Sequence, residues 1–144
     1  MVQTPGYRPS VPDAEQAGWR KLERELDARG LQLPLVSELA AATKMTKESA
    51  LACLQSAARR GLAFKLNDNR YALPRHLAEH ATLITELAAQ GEDITVINFK
   101  QRIKSGRKLA IEILEHFDAV GFTRRRDERR IICQPDLPAG LYAK

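Results

Sequence analysis

The chain has 144 residues, 44% of them hydrophobic and 28% charged, with a formal net charge of +5 and two cysteines. That balance excludes a disordered polar chain and leaves room for one ordinary domain, or for two of roughly 60–70 residues near the lower limit for a self-sufficient core. No apolar run approaches the ~20 residues needed to span a bilayer, MVQTPGYRPSVP lacks a signal-peptide core, and Cys53 and Cys133 make no disulfide framework. A reducing, cytoplasmic location is the expectation.

Residues 1–12 carry Pro5, Gly6, Pro9 and Pro12 and read as a linker or frayed arm. Asp13 is a plausible N-cap for a first helix with Trp19, Leu22 and Leu26 on one face and Gly30 at its end. LQLPLV is short and extended, and Ser37 is expected to cap a small helix through Leu39 and Ala42. Thr46 caps a third helix that stops at Gly61, and LAFKL and RYALP form a β-hairpin around NDN.

The same order then returns. Leu77, Ile84 and Leu87 mark a helix ending by Gly91, and Asp93, Ile94 and Thr95 form a short extended link. A helix follows around Ile97 to Ile103, another from Ser105 to Val120, and FTRRR and RRIIC pair around Asp127 and Glu128. QPDLPAGLYAK closes the chain without a clear element. Helix, short strand, helix, turn, helix, hairpin is the winged form of the helix-turn-helix. The expected fold is mainly α (α+β), with two tandem winged-helix domains at 13–73 and 74–134 and a tail at 135–144.

The repeat is legible in its anchors. Ala50, Cys53, Leu54 and Ala57 precede Gly61 at the spacings by which Ala110, Ile113, Leu114 and Phe117 precede Gly121. Both sets fall on one face of a helix.

The copies differ in where their basic residues cluster. Arg107 and Lys108 occupy the first turn of a helix, against its dipole, at a cost of roughly 0.3–1 kcal/mol each. The expected cap is Ser105, with Gly106 admitting another backbone. Free N–H groups, the positive helix end and two cations then point the same way, an arrangement suited to phosphate. In the wing, Arg126 should face Arg129 and Arg125 should face Arg130, which destabilises a sheet unless an anion neutralises them. With Arg124 the wing basic residues are all arginine, the side chain that stacks and makes forked hydrogen bonds to phosphate or base edges. Lys100, Arg102 and Lys104 could flank a bound strand.

Other groups carry less. His76 and His80 are spaced i,i+4 but lack further ligands nearby, so a surface or packing role is expected and no metal is expected. His116 should pair with Glu112, Cys53 should lie in the core, and Trp19 should anchor it. The chain lacks a phosphate-binding G-x-x-x-x-G-K-[ST] loop, a nucleophile elbow or H-E-x-x-H, so this segment reads as a non-enzyme.

The run GRKLAIEILEHFDAVGFTRRRDERRI, residues 106–131, closely resembles the last winged-helix domain of the bacterial selenocysteine-specific elongation factors, SelB. EQAGWRKLERELDARGLQLPLVSELAAAT, residues 15–43, looks like the preceding winged-helix domain of that family. The resemblance implies an RNA-binding tail that holds an mRNA hairpin beside a UGA codon. It implies Ser105, Gly106, Arg107 and Lys108 as reader residues, Arg124, Arg125 and Arg126 as the matching basic wing, and the first copy as a spacer with accessory phosphate contacts through Lys44 and Lys47. Family wings often carry Gly at the tip, where this one has Asp127, Glu128, Arg129 and Arg130. The resemblance further implies a monomer whose parent factor is a GTPase serving the ribosome and selenocysteinyl-tRNA, with no cofactor in this segment and GTP bound only by a missing N-terminal part. The alternative reading is a DNA-binding winged-helix transcription regulator. Glu112 and Glu115, expected on the exposed side after Lys108, would repel a duplex laid along that helix.

Overall fold

A computed structural model of the chain describes residues 13–142, with side chains from Glu15 onward. The proline-rich arm at 1–12 and the proposed capping role of the Asp13 side chain lie outside the described residues. The first unit comprises helices α1 (Asp13–Arg29), α2 (Val36–Thr43) and α3 (Lys47–Arg59), followed by strands β1 (Phe64–Asn67) and β2 (Arg70–Ala72). The second comprises α4 (Pro74–Ala89), β3 (Ile94–Thr95), α5 (Val96–Ile103), α6 (Arg107–Val120), β4 (Thr123–Arg126) and β5 (Arg129–Ile132). A last short helix, α7, spans Leu137–Leu141. Among the described residues no helix is long and apolar enough to cross a membrane.

Each helix buries the stripe its sequence spells out. Trp19, Leu22 and Leu26 of α1 meet Ala50, Cys53, Leu54 and Ala57 of α3. Burial also raises the Cys53 thiol pKa, so it stays a neutral, apolar-like group. Gly18 makes this approach possible, because a Cβ there would sit 2.9 Å from the Cys53 sulfur. In the second unit Phe99, Phe117 and Phe122 are fully buried with Ile84, Ile113 and Leu114. Burying each such aromatic contributes roughly 1.5–3 kcal/mol.

The wings follow the expected pairing. β1 and β2 form an antiparallel pair, with Leu35 adding an isolated bridge to Arg70. In the second unit the sheet order is β3-β5-β4, with Arg125 opposite Arg130 and Arg126 opposite Arg129. Asp127 takes the left-handed conformation (φ 57°) that the tight turn requires.

Two expectations about ends are corrected. Ser37 does not cap α2: Leu35 holds the cap position, and its N–H donates to the Glu38 carboxylate at 2.8 Å. Val36 is needed in the core, which draws the helix start back past the better capping side chain. The tail is not without structure either. Pro138 and Tyr142 are buried, and Tyr142 packs edge-on to Phe64 and Phe117. Its aromatic anchor comes after a proline- and glycine-rich stretch, so local composition conceals the docking.

No linker separates the units. β2 ends at Ala72, Leu73 is buried, and Pro74 opens α4 at once. Leu33 and Ala72 of the first unit belong to the core of the second, and Phe64 and Leu66 pack against it.

Candidate nucleic-acid interface

The two recognition helices begin differently. In α3, Thr46 is the N-cap, and its hydroxyl accepts the Ser49 N–H at 3.0 Å. Sixty positions on, the cap of α6 is Gly106, with extended backbone (φ −79°, ψ 166°) and no side-chain cap bond. The expected cap, Ser105, is displaced from that role: its hydroxyl donates to the Gly106 carbonyl at 3.3 Å. The cause is the turn before it. Lys104 ends α5 in the left-handed region (φ 54°), as Lys44 does in the first copy (φ 59°), and the cap falls two residues later in both. A Cβ added at Gly106 would meet nothing within 4 Å, so the helix start faces open space. The N–H groups of the first turn of α6 are left for an incoming acceptor.

The basic side chains divide into open and tied groups. Arg107 and Lys108 are exposed at that helix start, and Arg124, Arg125 and Arg126 are exposed along β4. Arg107, Arg125 and Arg130 line one shallow cleft, together with Glu128 and residues 95–97. Ile97 stands 58% exposed at this cleft, an apolar side chain in a basic setting. Sequence reading missed it as a surface feature. The available signal was its position two residues before Phe99, off the face that Phe99 and Ile103 share.

Arg130 is not a free wing cation. Its side chain is 4% exposed and its Nε donates to Asp118 at 3.2 Å, while the Thr123 hydroxyl donates to the other Asp118 oxygen at 2.6 Å. The expected clash of Arg125 with Arg130 is therefore relieved internally: one arginine turns in and the other out. Arg129 leans toward Asp93 at 3.5 Å across an exposed gap, a pair of little strength. Arg102 lies between Glu86 at 3.8 Å and Glu92 at 3.6 Å and donates to the Gln90 side chain. Lys100 is half-buried and Lys104 exposed.

The acidic residues of α6 also differ from expectation. Glu112 is 12% exposed and accepts from Arg70 Nε at 2.5 Å, so only Glu115 is an exposed carboxylate on the outer side of the helix. His116, expected to pair with Glu112, instead shares a 2.6 Å hydrogen bond with the Tyr142 hydroxyl. Burial lowers its pKa to about 4 and raises that of the tyrosine, so both are neutral near pH 7.

His76 and His80 are packed, not surface, residues. His80 donates through Nε2 to the Leu31 carbonyl at 3.2 Å, and burial lowers its pKa to about 4. His76 lies 3.5 Å from Asp27, which also pairs with Arg75 at 2.9 Å. Among the described residues no group of three or more His, Cys, Asp or Glu could hold a metal.

Two winged helices in tandem, the second with an uncapped basic helix start beside an arginine wing, define a tandem winged-helix protein. Residues 85–132 match the family described as elongation factor SelB, winged helix. The mRNA-binding domain of elongation factor SelB from E. coli, solved in complex with SECIS RNA, is 31% identical with a TM-score of 0.78, covering 86% of this chain and 100% of that one. The chain belongs to the SelB winged-helix family.

The selenocysteine-specific elongation factor of Escherichia coli (strain K12) is 31% identical over 131 residues, and that of Haemophilus influenzae (strain ATCC 51907 / DSM 11121 / KW20 / Rd) is 23% identical over 131 residues. Each alignment takes in 91% of this chain, which spans only 21% of the length of these curated relatives. A bacterial selenocysteine-specific elongation factor, EF-Sec, matches at TM-score 0.65 and 18% identity over 87% of this chain and 20% of that one, a likeness of fold alone.

Proposed function

We propose that the chain binds a selenocysteine-insertion mRNA hairpin and tethers a selenocysteine-specific elongation factor to its message near a UGA codon. One observation carries the reading: Arg107, the first residue of the uncapped helix α6, lines one cleft together with Arg125 of the wing. In this reading an RNA phosphate takes the N–H groups of the first turn. Arg107, Lys108, Arg124, Arg125 and Arg126 supply forked and stacking contacts, and Ile97 offers apolar surface to a base or ribose. Arg130 and Arg102 hold the frame, and Lys100, Lys104 and Arg129 flank it.

The units at 13–73 and 74–134 act together, as a monomer. This segment does no chemistry. The GTPase of the parent factor, and its traffic with ribosome and selenocysteinyl-tRNA in the cytoplasm, belong to sequence beyond it. A compact hairpin suits the site better than a long duplex, because the outer side of α6 beyond Lys108 offers the Glu115 carboxylate and no cation to a duplex backbone laid along it.

Filter binding of a SECIS hairpin and a DNA duplex at two salt concentrations tests this. The hairpin should bind preferentially, with log affinity falling about 0.7–0.9 per log unit of salt for each phosphate contact. Equal or stronger retention of the duplex would overturn it in favour of a DNA regulator.

A further inference from the structure

The first unit grips the recognition element of the second at two places. Gln32, in the turn after α1, donates its side-chain amide to the carbonyls of Ile103 and Lys104, the latter at 3.0 Å. Those carbonyls belong to the turn that swings the chain into the Gly106 cap. Arg70, at the start of β2, donates through Nε to Glu112 in the second turn of α6, and through a terminal nitrogen to the Leu33 carbonyl. Leu33 itself is buried in the second core, and His80 of α4 holds the neighbouring Leu31 carbonyl. Residues 31–33 and Arg70 thus brace the turn and the helix.

The repeat shows that this brace is particular to the first copy. Displaced by sixty positions, Arg70 corresponds to Arg130, and both are buried arginines at the start of the last wing strand. Arg130 pairs with Asp118 of its own recognition helix. The place of Asp118 in the first copy is Ala58, which offers no carboxylate. The same buried arginine therefore crosses to the other unit and takes Glu112.

We infer that Gln32 and Arg70 are positioning residues for RNA recognition. Together they set the direction of the residue 103–106 turn and of α6, so that the open helix start and Arg107 meet their target in one fixed orientation. A helix start without a side-chain cap, entered through a left-handed lysine, has little local restraint of its own. The first unit supplies that restraint and is a working part of the reader, not a spacer. This inference rests on the proposed RNA-binding function.

The test uses the full chain, a SECIS mRNA hairpin and heparin as a sequence-blind polyanion. Gln32→Ala changes no charge, so attraction to heparin should stay within twofold. Hairpin affinity should fall about fivefold, the loss expected when a side-chain amide shared between two carbonyls no longer orients the site, with the melting transition retained. Arg70→Met should lose more, and Arg70→Lys should recover part of that loss. Gln32→Ala binding the hairpin within twofold of the parent chain, or losing hairpin and heparin equally, overturns the inference while leaving the proposed function standing. Failure of the parent chain to prefer the hairpin removes that function and this inference with it.

Discussion

Arg130 and Asp118, joined at 3.2 Å between β5 and α6, tie the wing to the recognition helix that it flanks. The pair fixes where Arg125, directly opposite Arg130 on β4, can point. It converts a repulsive arginine pair into one buried strut and one exposed contact.

Removing Asp118 leaves a buried guanidinium without its counter-charge. Asp118→Asn should lower unfolding stability by about 3 kcal/mol, near the lower end for breaking a buried pair because Asp118 keeps some solvent. Urea denaturation followed by circular dichroism measures it. A change below about 0.5 kcal/mol would mean that the strut is dispensable.

Arg107→Ala acts on the open side. It should weaken SECIS hairpin binding about tenfold or more, as expected for a lost charge-assisted contact, and leave the melting temperature nearly unchanged. Fluorescence anisotropy and a thermal melt on the same sample separate the two. Unaltered affinity would take the central contact away from the proposed site.

Gly106 allows stability and binding to be driven in opposite directions. Its φ of −79° suits any residue, and the first copy has Thr46 at this place. Gly106→Thr should give α6 the missing side-chain cap and raise stability by a few tenths of a kcal/mol. The same hydroxyl would occupy an N–H that the proposed function gives to phosphate, so hairpin affinity should fall. Tighter binding by the capped variant would contradict the anion-accepting role of the helix start.

The two histidines lowered to about 4, His80 and His116, make the fold acid-sensitive. In the unfolded chain they take up protons near pH 6.5, where the folded chain does not. The unfolded state therefore binds more protons between these values, and stability falls as the pH drops from about 6.5 toward 4. Each histidine contributes a slope approaching roughly 1.4 kcal/mol per pH unit within that window. Chemical denaturation at pH 7, 6 and 5 measures it, and His116→Phe should flatten part of the curve.

Tyr142 closes the second core from the tail. Tyr142→Ala removes a side chain only 3% exposed and leaves the His116 ring nitrogen without its partner. A loss of about 3 kcal/mol is expected, as for other buried aromatics truncated to alanine. A melt unchanged to within a degree would show that the tail contributes nothing.

Both winged-helix units, their recognition helices and the arginine facing in the second wing were legible in the linear sequence. Helical spacing, capping glycines and two-residue turns act over a few positions, and the doubled order of elements made each copy a guide to the other. Ala50, Cys53, Leu54 and Ala57, like their counterparts in α6, went to the core because their spacing leaves one face apolar. What remained hidden depends on partners far away in the chain. Whether an arginine is a free cation or a strut is decided by the carboxylate that folding brings to it. Asp118 reaches Arg130, Glu112 reaches Arg70, and Arg107 is left without an acidic partner among the described residues. The cap shifted from Ser105 to Gly106 because a left-handed lysine two residues ahead, as in the first copy, sets where α6 begins. Tyr142 found a core through a segment whose prolines and glycine conceal it. Local periodicity determined the elements. Long-range pairing of charge, which no spacing rule encodes, decided which basic groups remain open for a polyanion.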